Sequence, residues 1–461
     1  MGKVIRLLLL AISGKEKEFT TGGINRAIVL LAVPMILEMV MESLFALVDV
    51  FFVSKVGTEA VATVGLTEVV LMIIQSVALG IAMAATAMIA RRIGEKDEDG
   101  AAVAAIQTLI LGLVISVAVG VLCFIYAEDI LRLMGGSPEL VAQGTTYTRI
   151  ILGFNGILFF LFLLNAIFRG AGDAAIAMRT LWLANGINIV LDPCLIFGLG
   201  PFPELGLTGA AIATTIGRGT GVLYQLYHLF GGKSIIRILR RHLRISWEVL
   251  KKLFNVSLGG AAQFLIATAS WLFIVRIISL FGDQALAGYT IAIRIIIFTI
   301  LPAWGMANAA ATLVGQNLGA GKPERAEKSV WLAARYNMFF LLAISVIFII
   351  GAPAVMPLFS EDPVVVREGV RGLRIICVGY VAYAYGMVIA QAFNGAGDTR
   401  TPTIINFFCF WLMQIPLAYI LARVVGMEST GVYWAIAISE SILAVVAVKW
   451  FQRGKWKLKE I

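Results

Sequence analysis

Charged residues are scarce in this chain. They make up 14% of its 461 residues, whereas hydrophobic residues make up 60%. A soluble domain carries about 25% charged residues, so the composition excludes the ordinary soluble class. The apolar residues form blocks of roughly 20 or more, the length a helix needs to cross the ~30 Å hydrocarbon core of a bilayer. The sequence therefore predicts a protein whose main solvent is lipid.

Cysteine and histidine are also few. The four cysteines are Cys123, Cys194, Cys377 and Cys409. They lie far apart within apolar segments, and none has the spacing of a disulfide framework or a zinc site. The only histidines are His228 and His242. We therefore expect no metal centre and no histidine-based catalysis.

Twelve apolar segments predict twelve transmembrane spans. They lie near residues 27–54, 60–90, 101–126, 141–168, 176–199, 206–231, 252–280, 285–315, 327–351, 365–392, 402–425 and 430–450. Only helices or closed barrels satisfy their backbone in hydrocarbon, and these runs are too long for barrel strands. The predicted fold class is an all-α, polytopic membrane protein.

Lysine and arginine cluster in alternate loops. The basic loops lie between spans 2 and 3, 6 and 7, and 8 and 9, and both terminal segments are basic as well. Basic loops face the cytoplasm, so we expect both termini to be cytoplasmic in a plasma-membrane protein. Because the net charge of +9 is explained by these loops, we expect no nucleic-acid partner. The short apolar run near the N-terminus predicts a segment lying in the membrane interface.

An internal repeat divides the chain into two halves. Adding 225 to a residue number in the first half gives the matching residue in the second, as for Gly80 and Gly305, Gly94 and Gly319, and Pro138 and Pro363. The run FRGAGD at 168–173 becomes FNGAGD at 393–398; both runs lack the strand–loop–helix setting of a phosphate loop and predict tight turns. Each half has six spans, so the copies face the same way and predict two parallel six-helix lobes around a central cavity.

The repeat also predicts the domain organisation. We expect a cytoplasmic N-terminal segment (1–26), a first lobe (27–231), a basic cytoplasmic linker (232–251), a second lobe (252–450) and a cytoplasmic tail (451–461).

Carboxylates within span 1 break the repeat. Such a group costs about 2.5–3.5 kcal/mol at a helix centre, so it persists where it is useful or near an interface. Glu38, Glu42 and Asp49 share one helical face because of their spacing. Their counterparts in the second half are Gln263, Ala267 and Ile274. Pro34 precedes them and predicts a kink.

Span 5 carries a second polar face. Asn185, Asn188 and Asp192 recur at intervals of three and four residues. Their counterparts are Phe410, Met413 and Leu417, all apolar. Carboxylate and amide oxygens on two helices favour a site for a hard cation such as Na⁺. They also favour proton transfer, because a low dielectric stabilises the neutral form of an acid.

Structural roles remain open for several of these residues. The first-lobe groups could satisfy one another or reach an interface. Glu440 lies within span 12, and either a functional role or an ion pair with Arg276 or Arg294 explains it. Phe45 suits a cavity for apolar cations through cation–π contacts, although packing explains it equally well.

The two parallel lobes, the GAGD turns, NIVLDP in span 5 and Asp49 after a kinked first helix resemble the multidrug and toxic compound extrusion family. The resemblance is to its DinF-like prokaryotic branch and covers essentially the whole chain. It implies export of organic cations and drugs in exchange for Na⁺ or H⁺, with no other cofactor. It also implies a coupling site formed by Asp49, Asn188 and Asp192, with bending at Pro34. Further ligands implied by a looser match are Asn165 and Thr214.

Glu38 and Glu42 depart from the pattern of that branch and leave the proton count and the substrate charge open. Two other functions compete with antiport. A lipid-linked precursor or polysaccharide flippase of the same superfamily would place a basic cluster in the central cavity, which the acidic first lobe disfavours. An intramembrane aspartyl protease would use paired aspartates, but the lobe repeat serves alternating access rather than chemistry. We therefore expect a monomeric, non-enzymatic antiporter of small cationic, amphipathic substrates in the lipid bilayer.

Overall fold

The computed structural model describes residues 2–15, 18–232 and 234–461. This part of the chain is helical and contains no β-strand. The α-helices of the first half are α1 (Gly2–Ser13), α2 (Ile24–Ser54), α3 (Thr58–Gly94), α4 (Glu98–Ile125), α5 (Ala127–Leu133), α6 (Pro138–Gly153), α7 (Asn155–Ala171), α8 (Ala174–Phe197) and α9 (Gly206–Phe230). Those of the second half are α10 (Trp247–Ser279), α11 (Asp283–Gly319), α12 (Pro323–Val355), α13 (Pro363–Val378), α14 (Tyr380–Gly395), α15 (Arg400–Asn406), α16 (Ile415–Tyr419) and α17 (Glu428–Gln452). Single 3₁₀ turns occur at Arg240–His242, Met356–Leu358 and Lys455–Leu458, and π-helical segments at Phe407–Gln414 and Ile420–Val424.

The helices account for the predicted spans. Among the described residues, ten helical stretches are long and apolar enough to cross a membrane, and α13 with α14 forms an eleventh that bends by 58°. In the first lobe α6 and α7 together form one stretch, and in the second lobe Arg400–Val424 forms another. The sixth predicted span corresponds to α9, which contains Arg218 and packs along α8. The prediction of an all-helical membrane protein is confirmed.

Helix boundaries follow the 225-residue repeat. The range Thr58–Gly94 of α3 becomes Asp283–Gly319 of α11 when 225 is added to each end. The helices α2 and α10 end at the matching residues Ser54 and Ser279. The two halves are therefore structural copies, and the predicted two-lobe repeat is confirmed.

The helix caps repeat as well. The hydroxyl of Ser137 accepts a hydrogen bond from the Leu140 N–H at the start of α6. At the matching position before α13, the Asp362 carboxylate accepts one from the Val364 N–H at 2.8 Å. This backbone hydrogen bond lowers the pKa of the Asp362 carboxyl in its loop. Each cap satisfies an N–H group that the first turn of a helix leaves free.

The two GAGD runs form tight turns, as predicted. Gly172 and Gly397 have φ values of 91° and 83°, a left-handed conformation that favours glycine. After the first turn, the Asp173 carboxylate accepts hydrogen bonds from the Ser234 hydroxyl and the Ile235 N–H. This contact joins the first lobe to the segment that leads into α10, which begins at Trp247.

The two lobes meet through glycines that are related by the repeat. We call the end of the bundle with the turns at 94–98 and 319–323 the basic end, and the end with Gly57 and Gly282 the opposite end. A Cβ atom on Gly80 of α3 would lie 2.6 Å from the carbonyl oxygen of Ser257 in α10. A Cβ atom on Gly305 of α11 would lie 2.6 Å from that of Met35 in α2. Both contacts lie in the halves of these helices nearer the basic end.

The other half of α3 is less covered. Glu68 is exposed, and Met72, which is 39% exposed, lines a cavity together with residues of the second lobe. The space between the lobes therefore widens toward the opposite end.

Candidate functional site

Three side chains of the first lobe form a hydrogen-bonded cluster. Asn188 and Asp192 lie one turn apart on α8, only 2% and 0% exposed, and Thr214 lies on the neighbouring helix α9. The Asn188 amide has one orientation that satisfies both of its groups. In this orientation its nitrogen donates to an Asp192 carboxylate oxygen at 2.9 Å, and its oxygen accepts from the Thr214 hydroxyl at 3.1 Å. We call Asn188, Asp192 and Thr214 the α8–α9 cluster.

Asp49 approaches this cluster from α2. It is half-buried, and α2 packs against α8. Its negative charge interacts with that of Asp192 and with the guanidinium group of Arg218 on α9. The structure therefore brings together carboxylates from two helices that the sequence analysis selected independently.

Asn165 lies apart from the α8–α9 cluster. Its side-chain oxygen accepts a hydrogen bond from Gln225 at 2.5 Å, and both residues are buried. Asn165 also lines a cavity of about 250 Å³ between the lobes, which Asp192 does not line. The structure thus places Asn165 next to the central cavity rather than among the other predicted ligands.

Glu38 is fully buried and forms an ion pair. Its Oε1 atom lies 3.1 Å from the guanidinium group of Arg169 on α7. Its Oε2 atom has no hydrogen-bond partner among the described residues. A buried charge is costly unless it is paired, so Arg169 explains how Glu38 is tolerated within α2.

Glu42 lies one turn further along α2 and has two partners. The Asn185 amide donates to its Oε2 atom at 3.2 Å, and the Arg218 guanidinium lies 4.0 Å from its Oε1 atom. The same guanidinium lies over the ring of Phe45, 5.3 Å from its centroid. Asn185 therefore binds Glu42 rather than Asp192, and Phe45 contacts a cation that belongs to the protein itself.

Two arginines of this region, Arg169 and Arg218, were not predicted from the sequence. Arg218 interrupts an apolar span, in TTIGRGTG, and that position was a usable signal. Arg169 lies in the FRGAGD run, where its proximity to a turn concealed its partner. With Glu38, Glu42 and Asn165, both arginines line the 250 Å³ cavity, together with aromatic residues of both lobes such as Trp304. This cavity therefore carries balanced charge instead of the acidic surface expected from the sequence.

Glu440 lines a second, larger cavity of about 430 Å³ in the second lobe. Its Oε2 atom is buried and has no hydrogen-bond partner among the described residues. Neither Arg276 nor Arg294 forms an ion pair with it, so the ion-pair explanation is wrong. Arg294 instead interacts electrostatically with Glu68 of the first lobe.

Pro34 does not interrupt its helix. The helix α2 continues through it from Ile24 to Ser54, and Pro34 is buried. Pro34 directly precedes Met35 in the sequence, and the carbonyl oxygen of Met35 faces Gly305 of the other lobe. The helix is therefore continuous at Pro34 in this conformation, and the kink there stays a prediction. The proline lies where the two lobes meet.

Two repeated helical lobes with charged side chains between membrane-spanning helices are typical of a polytopic membrane transporter. A MatE family model matches residues 34–194 and 260–420, one match in each lobe. The chain belongs to the MATE family.

Known proteins resemble the chain over almost its whole length. The probable multidrug resistance protein YoeA of Bacillus subtilis is 25% identical over 442 residues, which are 95% of each chain. An FAD transporter of Shewanella oneidensis is 26% identical over 435 residues, 93% of this chain and 95% of its own. A crystal structure of MATE in complex with MaL6 has a TM-score of 0.91 and 31% identity, covering 96% of this chain and 100% of that one. The expected family is confirmed, and these relatives are named as transport and resistance proteins rather than enzymes.

Proposed function

We propose that the protein is a secondary active antiporter that exports organic cations and drugs in exchange for Na⁺ or H⁺. One observation carries the proposal. In the first lobe Asn188, Asp192 and Thr214 are joined by hydrogen bonds and the charge of Asp49 interacts with that of Asp192, whereas the second lobe has apolar residues at three of the four matching positions. A feature present in one of two structural copies is not required by the scaffold. Oxygen ligands of this kind suit Na⁺ and also carry protons.

The mechanism follows from the repulsion between the two carboxylates. A bound Na⁺ or H⁺ cancels one of the two negative charges of Asp49 and Asp192 and so relieves their mutual repulsion, and its release restores a repulsion that favours another arrangement of α2 and α8. Drug and coupling cation then act on one conformational equilibrium, so each lowers the affinity for the other. In this proposal the protein works as a monomer in the plasma membrane, with both termini cytoplasmic and the opposite end facing outward. No cofactor takes part besides the coupling cation.

Transport in proteoliposomes tests the proposal. Sodium and pH gradients are imposed separately, and efflux of a cationic dye is followed for the wild type and for Asp49→Asn and Asp192→Asn. We expect both variants to fold but to lose efflux driven by the coupling gradient, because a neutral amide no longer attracts the cation. Asp129→Asn, at an exposed position in α5, is the matched control and retains efflux. Ion-driven efflux at wild-type rates in both site variants would reject the coupling site.

The alternative substrate class, an anionic lipid-linked precursor, has one observation in its favour. Arg169 and Arg218 both line the central cavity. Each lies beside a carboxylate, Glu38 or Glu42, which leaves little net positive charge for a pyrophosphate. Competition of a lipid pyrophosphate and a cationic dye for the purified protein separates the two functions.

A further inference from the structure

The second lobe contains a cavity that resembles a receptor site for an apolar cation. It has a volume of about 430 Å³, within the range of roughly 300–1,000 Å³ that is typical of small-molecule sites. Its walls are mainly aliphatic and aromatic side chains from α10, α11, α13, α14, α17 and the π-helical segment, together with Met72 of α3 in the first lobe. The aromatic lining residues are Trp271, Tyr289, Tyr380, Tyr383 and Phe410.

Glu440 is the only charged side chain among the described residues that line this cavity. Its Oε2 atom is buried without a hydrogen-bond partner, and Arg276 and Arg294 are not paired with it. A buried polar group without a partner costs about 1–3 kcal/mol, and more when it is charged. The unmatched carboxylate is therefore satisfied when a positive group enters the cavity.

The acids of the cavity of about 250 Å³, unlike Glu440, are paired with arginines. There Glu38 lies 3.1 Å from Arg169, and Glu42 lies 4.0 Å from Arg218. Those acids already have cationic partners belonging to the protein, so they offer an incoming cation less attraction. Of the two cavities, only the one with Glu440 presents a carboxylate without a counter-charge.

The repeat supports a dedicated role for this cavity. Glu440 corresponds to Thr215 in the first lobe, and Phe410 corresponds to Asn185. Phe410 and Gln414 reach the cavity from the π-helical segment Phe407–Gln414, whereas the matching part of α8 is an ordinary α-helix. Local π-helices occur frequently at functional sites. The second lobe therefore departs from its copy in both the shape and the chemistry of this cavity.

We propose that this cavity binds the positive charge of the exported substrate at Glu440, and that it accepts apolar organic monocations. The carboxylate supplies the counter-charge, and the rings of Trp271, Tyr380 and Tyr383 supply cation–π contacts and apolar area. A single carboxylate neutralises a single charge, so anions and dications are excluded. This inference rests on the proposed export function. It assigns the coupling cation and the exported substrate to different lobes. The coupling cation binds in the first lobe, and the substrate binds in the second.

A pair of ions with the same shape and opposite charge tests the site. Binding of tetraphenylphosphonium and of tetraphenylborate is measured by calorimetry on the purified full-length protein. We expect the wild type to bind the phosphonium ion in preference. We expect Glu440→Gln to weaken phosphonium binding by roughly 10- to 100-fold, the range for loss of an interaction with a charged group, and to remove the preference over the borate. Glu440→Asp keeps the charge and should retain the preference.

Glu428→Gln is the matched control, because Glu428 lies on the same helix at an exposed position outside the cavity. It should bind both ions as the wild type does. Unchanged phosphonium affinity in Glu440→Gln, or no phosphonium binding by the wild type, would overturn the proposal. The proposed antiport is tested by a separate measurement, which is gradient-driven efflux by the wild type. Intact efflux with no role for Glu440 rejects this site alone, and phosphonium binding at Glu440 without coupled efflux rejects only the antiport.

Discussion

Arg218 lies among the carboxylates of the first lobe and limits the negative charge that they present. Its guanidinium is 4.0 Å from Glu42, lies over Phe45, and interacts electrostatically with Asp49 and Glu68. In the proposed antiporter it therefore competes with the coupling cation for Asp49. A fixed positive charge of this kind weakens cation binding without removing it, which permits release in each transport cycle.

Removing this charge should strengthen binding of the coupling cation. At an effective dielectric of about 20, a unit charge roughly 8–16 Å away contributes about 1–2 kcal/mol. We therefore expect Arg218→Gln to raise the affinity for Na⁺ or H⁺ on the order of tenfold and to slow turnover, because release becomes limiting. Isothermal titration with NaCl and with acid measures the affinity. Arg132→Gln, at an exposed position in α5, is the control, and weaker cation binding in the Arg218 variant would contradict this role.

Individual site residues could be selected from the sequence where the repeat exposed them. Asp49, Asn188 and Asp192 stood out because their counterparts are apolar, and the structure places them in one region. The partners of Glu38 and Glu42 could not be selected in this way. Arg169 and Arg218 lie more than 130 residues from those acids along the chain, and only packing of α7 and α9 beside α2 brings the charges together.

Whole elements were more predictable than their contacts. An exact offset of 225 carries the ends of α3 onto those of α11, because the same cap and turn residues recur at each boundary. The π-helical segment Phe407–Gln414 had no such signal, since its copy in α8 is regular. The bend of 58° between α13 and α14 was also unpredicted. It occurs at Gly379, whose counterpart in the first lobe is Phe154.

Gly282 lies directly before α11 in a backbone conformation that favours glycine, and a substitution there tests how much this conformation contributes to stability. Gly282 has φ 99° and ψ 166°, and its copy Gly57 has φ 146° and ψ 169°. This region is essentially restricted to glycine, and other residues there cost of order 1–3 kcal/mol. No atom within 4 Å would obstruct a Cβ on Gly282. Gly282→Ala should therefore lower the free energy of unfolding by about 1–3 kcal/mol through strain alone.

Gly65 provides a control of opposite sign. It lies inside α3, and a Cβ there would also meet no atom within 4 Å. Because alanine is the better helix former, Gly65→Ala should stabilise by about 0.5–1 kcal/mol. Thermal unfolding followed by tryptophan fluorescence in detergent compares the two variants. Equal stability of Gly282→Ala and the wild type would show that α11 begins without this constraint.

At the scale of the whole molecule, the contact between the lobes has the symmetry of the repeat. Gly80 faces the backbone of Ala261 as Gly305 faces that of Ile36, and Gly94 approaches the carbonyl of Gln316 as Gly319 approaches that of Arg91. We call these four glycines the glycine seam. Each allows a helix of one lobe to approach the backbone of the other more closely than any side chain permits.

Terminal segments reinforce the seam at the basic end. The Arg91 guanidinium donates to the backbone carbonyl of Lys459 at 2.6 Å, which ties the C-terminal tail to the first lobe. Lys457 pairs with Glu327 of α12 at 2.6 Å, and this hydrogen bond raises the pKa of the Lys457 ammonium group. Arg325 of α12 donates to the carbonyls of Thr21 and Gly22, before α2. Lys457 thereby anchors the tail to the second lobe, and opening the basic end must break the contacts of Arg91 and Arg325 as well as the seam. The closed basic end is therefore the arrangement that this conformation stabilises.

Filling the seam should therefore shift the molecule toward the conformation that is open at the basic end. Overpacking a close contact costs typically about 1–3 kcal/mol, and this penalty applies only while the lobes touch. We expect Gly80→Val and Gly305→Val each to change the ratio of the two conformations by roughly 5- to 150-fold, with a larger effect when they are combined.

The measurement is the distance between spin labels at the exposed, repeat-related positions Thr58 and Asp283 of the opposite end, in a background without the four native cysteines. The seam variants should show shorter distances than the wild type as the opposite end closes. Gly65→Val, on α3 but outside the seam, should leave the distribution unchanged. If all three variants give the wild-type distribution, the glycine contacts do not control which end of the transporter is open.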